Sequence, residues 1–366
     1  MKPDQAKRVT VVIPNYNGIK YIENCLRCVL SQTVPCEVIV VDNGSTDGSV
    51  QRIREEFEAV RVMELGANTG FCHACNTGIH VTRTDYVMLL NDDTTMAPDC
   101  VEKLLEAIEK RPQAFSVQAR MVRMHREPDG PELLDDAGDL YCALGWAFAR
   151  GKGKSADRYM KPCGIFSACA GAAVYRRSVF DVIGYFDERH FCYLEDVDLG
   201  FRAQRFGFRN YYEPQALVYH AGSASTGGTY SAFKEVLTSG NNYYLLYKNL
   251  PGVQYALNAP LFHLGIAVKR RYFGKKGLSE AYEKGIERGR ALTERAKAQD
   301  AAAKYGLPVQ KDPIPEEACF DVSDERAGKV IPLYLGGKVK TGPAGFMNCM
   351  RIQGLLWLNM IRRLYV

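Results

Sequence analysis

The sequence predicts an α/β fold: a Rossmann-like, mostly parallel central sheet with helices on both faces, followed by a C-terminal helical extension. Three observations lead there. Apolar β-branched runs alternate with helical-period segments through the first third of the chain. Those runs are apolar throughout rather than alternating, the pattern of strands covered on both faces. Polar clusters stand where the strands end, which is where ligands bind in open parallel sheets.

The elements follow in order. Val9 to Pro14 is a strand run, and Gly18 to Ser31 has helical spacing at Ile22, Leu26, Val29 and Leu30. Glu37 to Asp42 is the second strand and Ser49 to Phe57 the helix after it. Val62 to Leu65 is a short third strand, followed by a helix from about Phe71 to His80. Tyr86 to Asn91 is the fourth strand, and Pro98 to Lys110 is amphipathic, with Val101, Leu104, Leu105 and Ile108 on one face. From Arg126 to Pro162 Gly, Asp and Lys become frequent, which predicts an insertion or mobile loop over the site. The small residues Ala170 to Ala173, which let backbone approach a ligand closely, lead into a helix at about Ser178. Glu195, Asp196 and Asp198 open a helix that carries Leu199, Phe201, Ala203 and Phe206. His220 ends another short apolar strand, before a Gly/Ser/Thr stretch from Ala221 to Thr229 suited to a loop closing over phosphates.

Composition sets the class. With 366 residues, a large domain plus an appendage is expected, divided as 1–250, 251–307 and 308–366. Hydrophobic content of 46% against 24% charged residues indicates a globular chain, and a net charge of +5 does not suggest a nucleic-acid partner. The polar start, Met1 to Arg8, does not read as a secretory signal, and no uninterrupted apolar run approaches the roughly 18 residues of a spanning helix. Twelve cysteines in such a chain point to reduced thiols and a cytoplasmic setting. Two CxxC pairs, Cys25/Cys28 and Cys72/Cys75 with His73 between the latter, admit zinc; the competing reading is that Cys25 and Cys28 are small buried hydrophobes on a helix.

Chemistry concentrates at the strand ends. The clusters Asn15-Tyr16-Asn17, Asp42-Asn43-Gly44 and Asn91-Asp92-Asp93 would converge on one edge of the sheet. Adjacent carboxylates repel, and a divalent cation bound together with a diphosphate would hold them together, because hard oxygen ligands suit Mg2+ or Mn2+. The alternative for Asn91-Asp92-Asp93 is a turn into a helix, with Thr94, Thr95 and Pro98 at its start. A second acidic cluster at Glu195-Asp196 supplies what metal-assisted displacement needs besides the cation, a separate base. The alternative there is a charged first helical turn. No GxGxxG follows the first strand, and Gly153-Lys154-Ser155 has Phe148 where a P-loop requires glycine, so neither dinucleotide nor P-loop chemistry fits.

These blocks together resemble the bacterial family 2 glycosyltransferases of GT-A fold, in particular the rhamnosyltransferase-like branch. The resemblance is carried by Val12 to Gly18, Val41 to Gly48, Leu89 to Asp93 and Glu195 to Leu199. Asn68-Thr69-Gly70-Phe71, Asn76-Thr77-Gly78 and Gly171-Ala172-Ala173 lie between, and the match spans about residues 9 to 250. It implies that Pro14, Asn15, Tyr16, Asn17, Asp42 and Asn43 hold the base and ribose of a nucleotide-diphospho sugar, with Asn68, Gly70, Asn76, Gly171 and Ala172 completing the donor site. It further implies Asp92 at the ribose, Asp93 on Mn2+ or Mg2+, His220 as a further metal or diphosphate ligand, and Asp196, beside Glu195, as the base of an inverting displacement. Asn91 departs from the all-acidic form of this turn. By branch, dTDP-L-rhamnose is the first donor, with UDP-hexose or UDP-galactofuranose the alternatives, and the acceptor is a glycan or lipid-linked glycan of cell-surface polysaccharide synthesis. A nucleotidyltransferase would need a Gly-rich basic signature after the first strand, and a non-catalytic sugar-nucleotide-binding protein would be expected to lack the second acidic cluster.

After Leu250-Pro251-Gly252 the character changes. Leu261 to Val268 is apolar and Lys269 to Lys276 basic and aromatic; Ser279 to Lys304 reads as a charged surface helix; Pro308 to Pro315 is a linker; and the chain ends on the apolar and basic run Leu355 to Val366. Two readings stand: peripheral contact with the inner face of an anionic membrane, or packing on the catalytic domain with a solvated basic face.

Overall fold

The structure, a computed structural model, describes residues 7–125, 130–222, 231–304 and 345–364. The Gly/Ser/Thr stretch beyond Gly222, the proline linker and the rest of 308–344 lie outside these residues. The first half runs β1 (Val9–Asn15), α1 (Ile22–Leu30), β2 (Glu37–Asp42), α2 (Ser49–Glu56), β3 (Arg61–Glu64), α3 (Phe71–Val81), β4 (Tyr86–Leu90), β5 (Thr94–Met96), α4 (Cys100–Glu109) and β6 (Ala114–Arg123). Then come β7 (Leu134–Asp136), β8 (Asp139–Cys142), β9 (Trp146–Ala149), β10 (Cys163–Ile165), β11 (Ala172–Arg176), α5 (Arg177–Ile183), α6 (Glu195–Arg205) and β12 (Arg209–His220). Four helices complete the described chain: α7 (Ala232–Asn249), α8 (Gly252–Lys275), α9 (Ser279–Lys304) and α10 (Gly345–Leu364).

The main sheet has the order β10-β12-β6-β11-β4-β1-β2-β3. β3, β2, β1 and β4 are parallel, and their register sets Asn15 beside Asp42 and Asp42 beside Glu64, so their polar ends share one edge. The continuous apolar runs have the expected cause. Val11 and Ile13 join a core with Leu26 of α1 and Leu104 of α4, whereas Val12 joins the opposite core with Ile79 of α3 and Phe180 of α5.

Beyond β4 the sheet becomes mixed. β11 runs antiparallel to both β4 and β6, and β12 returns parallel to β6. The reversal matters for the site: β11 starts at the ligand edge, so Ala172 lies beside Leu90.

One alternative is set aside and two expectations are corrected. The acidic turn does not start a helix: Thr94–Met96 forms β5 on the end of β12, and α4 begins only at Cys100. The segment from Arg126 to Pro162 is not a loose insertion where it is described. It holds β7, on the edge of β6, and the hairpin β8–β9, with Tyr141 and Cys142 fully buried. Its strands are only three or four residues long, so the turn residues between them dominate the sequence. Finally, α9 is not merely a surface helix. It packs along α7 through Gly285 and Gly289 against Gly240, and it buries Tyr282 and Ile286. Its many exposed charges hide that narrow contact stripe.

Among the described residues the cysteines form no zinc site. The described cysteines are unpaired; Cys25, Cys72 and Cys75 are fully buried in the two cores, and Cys28 Sγ donates to the Cys25 carbonyl. α10 packs its inner face on the β8–β9 hairpin and α6, burying Ile352 and Leu356, and the Ala143 amide donates to the Leu356 carbonyl at 3.0 Å.

The α7–α9 contact yields a test. A Cβ at Gly285 would fall 2.7 Å from the Val236 carbonyl and against Ser239 Oγ. Gly285→Val should lower stability to urea by about 1–3 kcal/mol, the cost of overpacking; an unchanged midpoint would show that the two helices have room to separate.

Candidate active site

The turn after β1 is fastened to the turn after β2. Asn15 Nδ2 donates to Asp42 Oδ1 at 2.7 Å and to Ser49 Oγ at 2.9 Å. Asp42 Oδ2 accepts from the Gly44 and Ser45 amides, while Asn17, at φ 55, accepts from the Thr46 amide. Asn43 ties this turn to the next, accepting from the Thr69 amide at 2.8 Å and donating to Asn68 Oδ1, which also accepts from the Gly70 amide. These side chains therefore hold the loops that shape the edge, and Tyr16 is left exposed at its mouth. Gly18 is required here, because a Cβ would strike Asp92 and Asn15. Asn76 stands apart: its amide donates to the Phe186 carbonyl and Glu188 Oε1 and accepts from the Phe186 amide, so both its donors are taken within the protein.

The acidic turn sits beside β12. The Asn91 amide donates to the Gly171 carbonyl at 3.0 Å, and Thr94 Oγ1 to the Asn91 carbonyl at 2.7 Å. Burial and the neighbouring Asp93 push the Asp92 carboxyl up to about 7. Asp93 Oδ1 lies 3.1 Å from His220 Nε2, and His220 Nδ1 lies 2.8 Å from Asp135 Oδ2, which in turn is held by Lys152 at 3.1 Å through its other oxygen. Burial works against a charged His220, but hydrogen bonds to Asp135 and Asp93 outweigh it and lift the imidazole to about 9. The imidazolium thus supplies positive charge that a divalent cation would also supply.

The donor set fits such a cation. The Asp93 carboxylate is a hard oxygen ligand suited to Mn2+ or Mg2+, and His220 would join it only after giving up its Nε2 proton, with Asp135 orienting the ring as a carboxylate behind a metal-ligating histidine does. Among the described residues no three His, Cys, Asp or Glu side chains form a complete metal cage. That is the arrangement expected where substrate phosphates complete the coordination.

The second acidic cluster reaches the same place from the opposite end of the chain. The Ala170 amide donates to Asp196 Oδ2 at 3.4 Å while the next carbonyl, of Gly171, accepts from Asn91. A single turn therefore stands between the two clusters. Burial raises the Asp196 carboxyl to about 6, and burial together with Asp196 raises that of Glu195 well above the usual range. Glu195 is buried, and its Oε2 has no partner among the described residues; Asp196 keeps part of its surface open.

The loop before Asp196 is held in an unusual conformation. Phe191, Tyr193 and Leu194 all have positive φ, near 63°, 72° and 63°. Asn241 of α7 fixes it by donating to the carbonyls of His190, Cys192 and Tyr193, and Arg288 of α9 donates to Asn241 Oδ1 and the Arg189 carbonyl. Beneath it, fully buried Lys248 donates to Asp187 Oδ2 and Asp198 Oδ2, both at 2.8 Å, and Arg202 pairs with Asp198 at 3.0 Å. Burial opposes ionisation of Asp198, yet Lys248 and Arg202 hold its carboxyl down at about 2.

Sequence reasoning did not find Asp135, Lys152, Asp139, Asn241 or the Lys248 network. Asp135 and Asp139 lay in the stretch read as loose, and the Asp139 carboxyl is pushed well up by burial and by the charges of Asp136 and Asp196. Nothing in the sequence around Lys248 or Asn241 marks them, since their partners are about 50 residues away.

Comparison with known proteins agrees with this geometry. Residues 10–184 match the family described as Glycosyl transferase family 2. The chain is 32% identical over 244 residues to N-acetylglucosaminyl-diphospho-decaprenol L-rhamnosyltransferase of Mycobacterium tuberculosis, covering 59% of this chain and 77% of that relative. It is 24% identical over 230 residues to poly-beta-1,6-N-acetyl-D-glucosamine synthase of Staphylococcus epidermidis, covering 61% of this chain and 52% of that one. Among solved structures, GalNAc-T7 with UDP, GalNAc and Mn2+ aligns with a TM-score of 0.57 at 16% identity, over 83% of this chain and 59% of that one. The mannosyltransferase PcManGT from Pyrobaculum calidifontis, with GDP-Man and Mn2+, aligns at 0.50 and 16%, over 78% and 88%. At these identities the structural likeness establishes the fold alone, which is GT-A.

Lys248 gives a sharp test of the buried network. Lys248→Met should cost about 3–5 kcal/mol in urea denaturation, because it leaves buried carboxylates short of a cation. Asp198, depressed to about 2, contributes stability above its unfolded pKa of about 3.9 and loses it as pH falls. The difference between wild type and variant should therefore be full above pH 4 and close toward pH 2; a pH-independent difference would contradict the assignment.

Proposed function

The chain belongs to glycosyl transferase family 2, and we propose that it moves a sugar, with inversion, from a nucleotide-diphospho donor to a hydroxyl of a glycan or lipid-linked glycan. The observation that carries this reading is the turn at Ala170–Gly171, with the Asp93–His220 pair on one side and partly open Asp196 on the other.

Asp196 takes the proton from the acceptor hydroxyl as its oxygen bonds to the anomeric carbon, and the bond from that carbon to the diphosphate breaks. The nucleoside diphosphate leaves on the face opposite the attack. General-base assistance of this kind contributes typically ~10²–10⁴-fold. Burial and the neighbouring Asp196 hold the Glu195 carboxyl well above its ordinary range, so Asp196 is the one that gives up its proton more readily. Asp93 and His220 would hold Mn2+ or Mg2+, and such a cation would supply positive charge for the leaving diphosphate. Asp135, backed by Lys152, holds His220 in position. Tyr16 and Asp92, with Pro14 and Asn17, face the base and ribose; Asn15, Asp42, Asn43, Asn68 and Gly70 keep that edge in shape. Gly171 and Ala172 admit the sugar close to the backbone. Asn76 is withdrawn from the donor site, its amide being engaged elsewhere.

The name of the Mycobacterium tuberculosis relative supports an L-rhamnosyl donor, dTDP-L-rhamnose, and an acceptor of the N-acetylglucosaminyl-diphospho-lipid type in cell-surface polysaccharide synthesis. UDP-hexose or UDP-galactofuranose remains the alternative donor. Such an acceptor places the work at the inner face of a membrane.

Two experiments test this. Transfer should rise with pH through about 6 as Asp196 loses its proton, and Asp196→Asn should keep donor binding while transfer falls by about 10²-fold or more; near wild-type transfer by that variant would remove Asp196 from the role. A thermal-shift panel of nucleotide sugars with Mn2+ should single out one donor, since ligand binding to the folded state raises its stability. Asp93→Ala should abolish the Mn2+-dependent part of that shift, and an unchanged titration would exclude Asp93 as the ligand.

A further inference from the structure

We infer that α8 and α10 together form one membrane-docking face that lies on an anionic bilayer without crossing it. The exposed apolar residues of α8 include the set Val253, Leu257, Leu264 and Val268, with Tyr272 four residues on, and those of α10 include the set Phe346, Met350, Trp357 and Ile361, with Met347 and Leu358 widening that face. Both sets are spaced by four, seven and four residues. At about 100° per residue, each set is a single narrow stripe along its helix. The exposure is large for such side chains: Val253 is 83% exposed and Phe346 71%.

The two stripes open on the same side. α8 and α10 run parallel, because Gln254 Nε2 donates to the Cys349 carbonyl at 2.7 Å and Asn258 Nδ2 to Gln353 Oε1 at 2.8 Å. On α8 the seam residues Gln254 and Asn258 each follow a stripe residue by one position. On α10 the seam residue Cys349 precedes Met350 by one. Seams on opposite rotational sides of two parallel helices bring both stripes to one face of the pair. The seam is polar, buried at Asn258 and Gln353, and closed by Trp357 Nε1 donating to Asn258 Oδ1 at 3.3 Å. The helices are thus fixed in register by their own contacts, and the apolar face is left over.

Charge selects the occupant. Neither helix contains an acidic residue. Exposed Arg271, Lys275, Lys276, Arg362 and Arg363 gather at the C-terminal end of the pair. An apolar face with tryptophan and a basic collar matches the chemistry of an anionic interface. Among the described residues no helix is long and apolar enough to cross a membrane, so the pair lies on the surface. α10 rests on the β8–β9 hairpin, Asn359 donating to the Tyr141 carbonyl at 2.9 Å, and that hairpin begins at Asp139, whose carboxyl senses Asp196. The inference deepens the lipid-linked acceptor reading but stands on this surface alone, and its test uses no sugar.

The full chain should float with vesicles of phosphatidylglycerol and phosphatidylcholine, and only weakly with phosphatidylcholine alone. The chain has two tryptophans, Trp146 and Trp357. Brominated phosphatidylglycerol should quench emission from the wild type, and Trp357→Phe should abolish most of that quenching. The double variant Leu257→Glu with Ile361→Glu changes only exposed positions. It should keep the wild-type melting temperature and transfer to a soluble acceptor, while vesicle binding falls by about tenfold or more. The proposal is overturned by a full chain that fails to float, by equal flotation of the double variant, or by quenching that survives in Trp357→Phe. It is equally overturned if sedimentation shows a dimer that the double variant dissolves and vesicles do not bind.

Discussion

The placement of the proposed base depends on one buried ammonium group. Lys248 sits without solvent contact between Asp187 and Asp198, and these three groups come from a loop and two helices, one of which carries Asp196. Three charges in an apolar interior are tolerable only when each finds its counterpart, and the same requirement makes the arrangement intolerant of displacement. Arg202 extends the constraint, spending its guanidinium on Asp198 and on the carbonyls of Ile183, Gly184 and Tyr185 at the end of α5. The helix carrying the acidic cluster is thereby tied both to α7 and to the end of α5.

That rigidity supports a strained approach to the site. Three successive-zone residues with side chains, Phe191, Tyr193 and Leu194, hold left-handed backbone, each at a cost of order 1–3 kcal/mol. The loop persists because Asn241 takes three of its carbonyls and α9 holds Asn241 through Arg288. The C-terminal extension is therefore part of the machinery that aims Asp196. It also carries the outward apolar face, so one set of helices serves the interior on one side and the surroundings on the other.

The acidic edge obeys a different logic. There Asp93 pairs with His220, while Asp92 beside it is kept from easy ionisation by burial and by the Asp93 charge. Such an edge is built to receive positive charge and hydroxyl or phosphate groups, in contrast to the Lys248 network, whose charges are already matched. The two clusters illustrate how similar residue types serve function or structure according to whether their partners are supplied by the protein.

The sequence by itself determined the parallel wing of the sheet, its helices, the gathering of polar turns at one edge and the family. Those features are local or periodic: unbroken apolar runs, helical spacing, and short blocks such as Asn91-Asp92-Asp93. It also offered Asp93, His220 and Asp196 as separate candidates. Only the tertiary structure decided that β11 runs backward to set Gly171 between Asn91 and Asp196, that Asp135 stands behind His220, and that Asn76 is taken up by the segment at 186–188. Only it decided that α8 and α10 present their stripes to the same side. These are pairings across tens to more than a hundred residues, where burial and hydrogen-bond satisfaction choose the partner, and no local pattern of side chains encodes that choice.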